Sequence, residues 1–445
     1  MNMYSSEEAI LQNFTSLEAC LKQHALSENN ISCCCKIILD KIRLSICGME
    51  DQGLQDLVWS STECVETLKK CMKQVFHLPN ASPELLKLNE HEEEVANAFV
   101  MCIANLCAGN SNAITKLCNA FTFSSIYDVF LSMPVHVGQK WCAVIFSILL
   151  QKSLCQSFLE TLPLAQAVAK FCNVYSVETQ HACFALFCLE IIFCQFCDLK
   201  SFRVIWFEHL NDTQKLLVLS ICQNIIVSGT SHKRGAVASV PMIEFLSKTY
   251  LDAVGVILSN DAGQIEGSNP LVLRELCAAV LGAAASPLHC KILKSQASLL
   301  LITVSFLKAL NIATFQPDNE ASKEHFTSRW SQLQLVNADA GVGLRCDLVQ
   351  LLGNLVNEDA QNQDELRAVG GLEEIFCSCR RDEANPLIQE AVIFALGCCL
   401  KNNPQNALHL KEQLATRHDG QDSALMERLG LKADQFVQVP TNEAT

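Results

Sequence analysis

Leu348-Val349-Gln350-Leu351-Leu352-Gly353-Asn354-Leu355 is followed by Asn362-Gln363, and Ala395-Leu396-Gly397-Cys398-Cys399 is followed by Asn406. The two stretches align with Asn354 on Cys398, 44 residues apart, and each has an Asn eight positions after the aligned residue. Leu348, Leu351, Leu352 and Leu355 mark one apolar helix face, as do Ile388, Ala391, Val392, Ala395, Leu396 and Cys399. Residues three and four apart share a helix face, so this spacing predicts helices packed on one side. A helix pair repeating at 44 residues falls in the period of armadillo and HEAT arrays.

Upstream the same pattern is weaker. Cys102-Ile103-Ala104-Asn105-Leu106 precedes Asn112, and Gln223-Asn224-Ile225 is a further echo. From Asn105 to Asn224 is 119 residues and from Asn224 to Asn354 is 130, each close to three periods. Between Glu94 and Ala108 the apolar positions Val95, Ala98, Phe99, Cys102, Ile103 and Leu106 again follow helical spacing. No run alternates apolar and polar residues between turn signals, so strands are not expected. The fold class is therefore all-α, an armadillo/HEAT-like α-solenoid of stacked short helices.

The unit reads as short helix, glycine turn, second helix, loop, long third helix. Gln363 to Val369 is the first, Gly370-Gly371 the turn and Leu372 to Cys379 the second. Arg380 to Ala384 is the loop, and Pro386 opens the third. Glycine permits the sharp turn. Asn385-Pro386, Asn403-Pro404, Asn269-Pro270, Ser82-Pro83 and Ser286-Pro287 each pair a capping side chain with a proline and read as helix starts. The expected organisation is an N-terminal helical cap at 1–88, armadillo-like repeats at 89–314, a polar linker at 315–343 and a C-terminal armadillo domain at 344–431. Residues 432–445 read as a disordered tail, and a short helix is expected near Ser423 to Leu429.

Half the chain is apolar and 18% is charged, with a net charge of −14. The longest basic cluster, Lys233-Arg234 after His232, is too small for the electrostatic footprint of a nucleic-acid binder. The most apolar stretches, Ala182 to Cys197 with Glu190 inside and Ser295 to Leu307 before Lys308, are shorter than the ~18–20 residues of a membrane span. Met1 to Glu8 is polar and no apolar leader follows, so the 25 cysteines are expected as reduced cytosolic thiols. Most lie in apolar helical patterns, where a thiol packs as a small hydrophobe.

Chemistry finds little support. Cys194-Gln195-Phe196-Cys197 is the one Cys-x-x-Cys, but a structural zinc site needs four ligands and no second pair stands at suitable spacing. Its apolar surroundings favour packed thiols over a zinc site or a redox pair. Cys33-Cys34-Cys35 admits palmitoylation as an alternative to packing. Neither a Gly-x-Ser-x-Gly elbow nor a phosphate-cradling glycine loop occurs, so no catalytic residue, cofactor or metal is expected. Asn105, Asn224 and Asn354 fall late in long-helix patterns. On a concave armadillo surface each side chain could hydrogen-bond an extended peptide, with helix-surface asparagines as the alternative. A carrier of extended basic peptides would need a regular Trp/Asn ladder. Of Trp59, Trp141, Trp206 and Trp330, none precedes an Asn by one helical turn.

Leu348 to Leu355, Asn362-Gln363-Asp364, Gly370-Gly371-Leu372, Asp382 to Leu387 with Glu390, Asn402 to Asn406 and Leu429-Gly430-Leu431 together resemble the C-terminal domain of the ataxin-10 family. The likeness spans about 344–431. Ala391 stands where the family has Trp, and Gly397-Cys398-Cys399 where it has Arg-Asn-Leu. The resemblance implies a non-catalytic cytoplasmic scaffold, perinuclear or at centrosome and midbody. It implies roles in cytokinesis, neurite outgrowth, neuronal survival and signalling. The implied partners are the O-linked N-acetylglucosamine transferase, a G-protein β subunit and mitotic kinases, and a homo-oligomer is compatible with it.

Overall fold

A computed structural model describes residues 7–22, 29–46, 52–76, 89–161, 163–176, 183–195, 198–228, 238–259, 269–315, 341–380 and 383–415. Among the described residues every regular element is a helix, and no strand occurs. The contacts divide the chain into two compact units, one of 1–196 with 203–214 and one of 197–202 with 215–445.

The first unit contains α1 (Glu7–Lys22), α2 (Asn29–Ile46), α3 (Gln52–Ser60), α4 (Thr62–Val75), α5 (Glu90–Cys107) and α6 (Ser111–Ala120). It continues with α7 (Phe123–Ser132), α8 (Val135–Leu149), α9 (Lys152–Glu160), α10 (Leu164–Ser176) and α11 (Cys183–Gln195). Next, α12 (Leu199–Val204), whose residues up to 202 belong to the second unit, runs into a π-helical turn (Ile205–His209). Within the first unit α2, α5, α8 and α11 pack side by side in chain order as a row of long helices. Asn89 starts α5 with a capping box: its side chain accepts from the Glu92 N–H, while the Glu92 carboxylate accepts from the Asn89 N–H.

The second unit holds α13 (Asp212–Ser228, from 215 on), α14 (Val240–Leu258), α15 (Pro270–Ala285), α16 (Cys290–Lys294) and α17 (Ala297–Phe315). They are followed by α18 (Leu344–Val356), α19 (Ala360–Ala368), α20 (Gly371–Cys377), α21 (Ile388–Leu400) and α22 (Pro404–Ala415). Here α14, α17 and α20 form one row, and α15, α18 and α21 a second, with each pair such as α20 and α21 also packed within its layer. That is the expected unit: short α19, the turn at Gly370 with φ +76°, second helix α20, loop, long α21. The connection at this last step is 378–387 between α20 and α21, but 316–343 between α17 and α18.

The 44-residue repeat is present down to single hydrogen bonds. The N–H of Asn357 reaches the Gly353 carbonyl at 3.0 Å, and that of Lys401 reaches Gly397 at 3.2 Å. Glu358 and Asn402, 44 apart, both take a left-handed backbone, at φ 55° and 59°. Asp359 then accepts from the Asn362 N–H and Asn403 from the Asn406 N–H, which starts α19 and α22 alike. Asn362 Nδ2 donates back to the carbonyl of Leu355 at 3.0 Å, and Asn406 Nδ2 to that of Cys399 at 2.9 Å. Asn354 and Cys398 thus hold equivalent places on neighbouring long helices.

Polar side chains of the short helices serve the ends of the long ones. Gln363 Nε2 donates to the carbonyls of Cys398 and Lys401, 2.9 and 3.2 Å away. Gln55, at the matching point of α3, does the same to Asn105 and Ala108, at 2.8 and 3.2 Å. The last carbonyls of a helix have no partner inside it, so these amides satisfy groups that would otherwise be orphaned.

Two of the expected helix starts differ in detail. Asn269 and Asn403 cap the helices that begin at Pro270 and Pro404 as expected. Asn385 does not open its own helix, which starts at Ile388. Its Oδ1 accepts instead from the Cys346 N–H in the first turn of α18 at 3.2 Å. The N-cap of α18 is Gly343, at φ +80° and without a side chain, so the next layer supplies the missing acceptor. Ser286 ends α15 rather than starting a helix at once, and its hydroxyl meets His289 Nδ1 at 2.9 Å before α16 begins. Ser82-Pro83 lies outside the described residues, as do most of the expected linker and the tail with its short helix.

At Gly353 an added Cβ would stand 2.8 Å from the Phe394 ring and 3.0 Å from the Ala395 backbone, so only glycine admits α21 this close. Gly353→Ala should therefore cost about 1–3 kcal/mol by overpacking, despite the better helix propensity of alanine. Leu352 and Leu396 are fully buried, and each Leu→Ala change should cost about 2–5 kcal/mol. Urea unfolding of the three variants checks both expectations, and unchanged midpoints would contradict this packing.

Candidate interaction face

Each long helix of the second unit buries one side and leaves a strip facing outward. On α18 that strip holds Asp347, Gln350 and Asn354, half-buried and spaced by three and four residues. On α21 it holds exposed Leu387, Glu390 and Phe394. On α15 Arg274 and Glu275 are half-buried, and on α13 Asn224 and Val227 are exposed. The strips adjoin. Gln223 of α13 donates to the Glu275 carbonyl at 2.9 Å and to its carboxylate at 3.1 Å. The Cys346 thiol of α18 donates to the Leu387 carbonyl at 3.7 Å and receives the Gln350 amide at 3.5 Å.

Two features make this face distinctive. Phe394 lies across the gap that Gly353 opens, with 42% of its surface still in solvent. An aromatic ring seated on backbone with its other side free is the form of an interface anchor. Burial pushes the Asp347 carboxyl up to about 6, with Arg274 opposing the shift and Glu275 adding to it. The face thus offers an aromatic surface, amides that both donate and accept, and carboxylates suited to a cationic side chain.

Asn354 falls on this face, and Asn224 sits exposed on α13. Asn105 belongs to the first unit, half-buried near the end of α5, where its carbonyl takes the Gln55 amide. The amide is not repeated in the last layer, where Cys398 stands in its place and is buried. Asp347, Gln350 and Phe394 escaped the sequence reading. The signal was present in Asp347, a charge directly before an apolar helix stripe, and in Phe394, an aromatic just off the stripe of α21.

Most of the described thiols are buried, while Cys34 is exposed. Burial holds Cys102 up at about 12 and places Cys71, Cys188 and Cys277 well above the ordinary thiol value, so they stay protonated at neutral pH. Cys194 is buried, and Cys197, its partner in the Cys-x-x-Cys, is outside the described residues. Among the described residues no group of three or more His, Cys, Asp or Glu is placed to hold a metal ion. Among them, too, no helix is long and apolar enough to cross a membrane.

Residues 344–437 match the family model described as the spinocerebellar ataxia type 10 protein domain. Ataxin-10 of Xenopus tropicalis is 26% identical over 194 residues, covering 43% of this chain and 38% of that protein. The ataxin-10 homolog of Dictyostelium discoideum is 34% identical over 108 residues, 23% of this chain and 17% of that one. Human ataxin-10 is 26% identical over 96 residues, 21% of this chain and 19% of that one. The chain thus spans less than two-fifths of the length of each of these relatives. Among solved structures an engineered protein aligns over 93% of this chain and 87% of its own at 13% identity, with a TM-score of 0.35 that bears on nothing further. Residues 344–437, the domain that starts at α18 and carries the 44-residue repeat, are thus similar to the ataxin-10 family.

Proposed function

We propose that this chain is a non-catalytic protein-interaction scaffold and that the long-helix face of its second unit is a binding surface. The observation that carries the reading is Phe394, an exposed ring seated over Gly353, the residue before Asn354. Kinship with ataxin-10 extends the reading to the cytoplasm near centrosome and midbody, and to cytokinesis, neurite outgrowth and signalling. The partners proposed with it are the O-linked N-acetylglucosamine transferase, a G-protein β subunit and mitotic kinases.

The binding mode we favour is an extended segment laid across α15, α18 and α21. Its backbone would meet the amides of Gln350 and Asn354, and a basic side chain would meet Asp347 and Glu390. Asn224 prolongs the same surface, and Asn105 would serve on the first unit. A carrier of extended peptides is the second reading, supported by the same pair of amides on α18.

Affinity capture followed by mass spectrometry, run in parallel on wild type, Phe394→Ala and Asn354→Ala, tests the scaffold reading. Both variants should keep the wild-type melting temperature within a degree or two, since neither side chain is fully buried. Phe394→Ala should remove specific partners, with a loss on the order of 2 kcal/mol in affinity. An unchanged set of captured proteins would sink this face as the binding surface.

Asp347 supplies a test by pH. Its folded carboxyl, at about 6, binds a proton more tightly than the unfolded one, near 4. Between those values the native chain holds more protons than the unfolded chain, so this group's contribution falls as pH rises from about 4 to 6 and stays low above. Partial exposure reduces the effect to on the order of 1 kcal/mol. In Asp347→Asn that slope should vanish from urea midpoints measured between pH 4.5 and 7. A variant with the wild-type slope would show that Asp347 does not titrate in this window.

A further inference from the structure

The row of long helices in the first unit has a polar face of its own. Polar side chains tie α2, α5 and α8 together along it. Lys36 Nζ of α2 stands 3.0 Å from the Glu94 carboxylate of α5, and His136 Nε2 of α8 stands 3.3 Å from that of Glu93. Lys140 of α8 donates to Asn97 Oδ1 of α5 at 2.5 Å. Aromatic rings carry the face on to α11. Phe146 of α8 lies 5.7 Å from Phe184 and 5.5 Å from Phe187, and Phe184 keeps 36% of its surface in solvent.

The charges on this face do not balance locally. Asp40 has Arg43 at 3.3 Å, Glu94 has Lys36 and Glu93 has His136. Lys140 meets a neutral amide instead and, among the described residues, no carboxylate within ion-pair reach. Burial, and then the charge of Arg43, lowers its ammonium below the ordinary lysine value, with Asp40 opposing. Arg43 and Lys140 thus send two cations over α5 from the helices on either side, against the one carboxylate of Asp40. A further carboxylate there would gain a charged partner and relieve the repulsion between the two cations. A single negative charge matches this excess, whereas a doubly charged phosphate would also meet Asp40, Glu93 and Glu94. The net charge of −14 does not forbid an acidic partner, since charges beyond about 8–10 Å are screened at physiological salt.

The ring at Phe184 supplies a second point of attachment. Lys140 and Phe146 are six residues apart, about 9 Å along α8. The axis of α11 lies a further ~8–10 Å across. An extended chain covers that diagonal in about four residues.

We propose that this face of the first unit binds an extended acidic segment of a partner protein. In it an aspartate or glutamate pairs with Lys140 and Arg43, and an apolar or aromatic side chain about four residues away packs on Phe184. The first unit thereby takes an acidic segment, where the second unit is suited to a basic one.

Peptides selected from a random phage-displayed library test it. Selection uses the full chain, with the Lys140→Glu chain in excess as competitor. Retained peptides should carry an acidic residue about four positions from an apolar one. The most enriched peptide, fluorescently labelled, is then titrated by anisotropy. Its Kd should rise about tenfold in Lys140→Gln and in Phe184→Ala, and stay at the wild-type value in Lys140→Arg and Phe394→Ala. Binding to the wild type should also weaken as sodium chloride is raised, a measurement that needs no variant to fold. No retained peptide, retained peptides without acidic residues, or affinity indifferent to salt or to Lys140→Gln overturns the proposal. Loss of binding in Phe394→Ala would place the peptide on the second unit and overturns it as well. So does affinity that falls as protein concentration rises, which would mean that a second copy covers the face.

Discussion

Asn362 and Gln363 are neighbours in sequence, and their side-chain amides serve two different layers. Asn362 donates to the last turn of α18 behind it and to the carbonyl of Lys294. Gln363 donates to the last turn of α21 in its own layer. Between them, two adjacent residues of one short helix satisfy carbonyls on two successive long helices. Helix ends buried without such partners would lose on the order of 1–3 kcal/mol for each unpaired group. The stacking of the second unit depends on this constraint, because apolar stripes fix which faces meet but not the level at which they meet. The amides set that level. Lys294 adds a further tie by donating to the Asn357 carbonyl, at the very end of α18.

Once the level is set, the close approach of α18 and α21 follows, and with it the candidate binding face. Gly353 lets the two backbones come together, and Phe394 is held across the gap with part of its ring in water. The arrangement that makes the pair compact is therefore also what leaves an aromatic ring exposed over Gly353. The packing of the pair and the exposed ring rest on the same glycine.

The fold was legible in the sequence because its two signals are short-range. Helical periodicity needs only three or four residues, and the repeat needs only two copies such as 348–355 and 392–399. Cap identity was legible where the Asn serves its own helix, as at Asn269 and Asn403. It was not legible at Asn385, because the N–H it satisfies belongs to Cys346, 39 residues away in another layer. Asp347 was hidden for the same reason. What sets its carboxyl apart is burial together with Arg274 and Glu275, brought near by tertiary packing alone. The asparagine pattern at 105, 224 and 354 came from local spacing, and local spacing does not tell which strip of a helix its neighbours leave open.

The connections between second and third helices differ greatly in consecutive layers, 316–343 in one and 378–387 in the next. Yet α17 with α18 and α20 with α21 pack in the same way. The entropy of closing a connection grows only as the logarithm of its length, so a threefold increase costs about 1 kcal/mol. The rim of the array where second helix hands over to third is therefore a place where sequence can be added with little effect on either row. The opposite rim has no such freedom after α18 and α21, since there the turn is held by a left-handed residue and a side-chain cap, Asp359 or Asn403, within a few positions. Growth and divergence of such a chain are channelled to one edge, and new function acquired by insertion would arise there, leaving the stacked layers as they are.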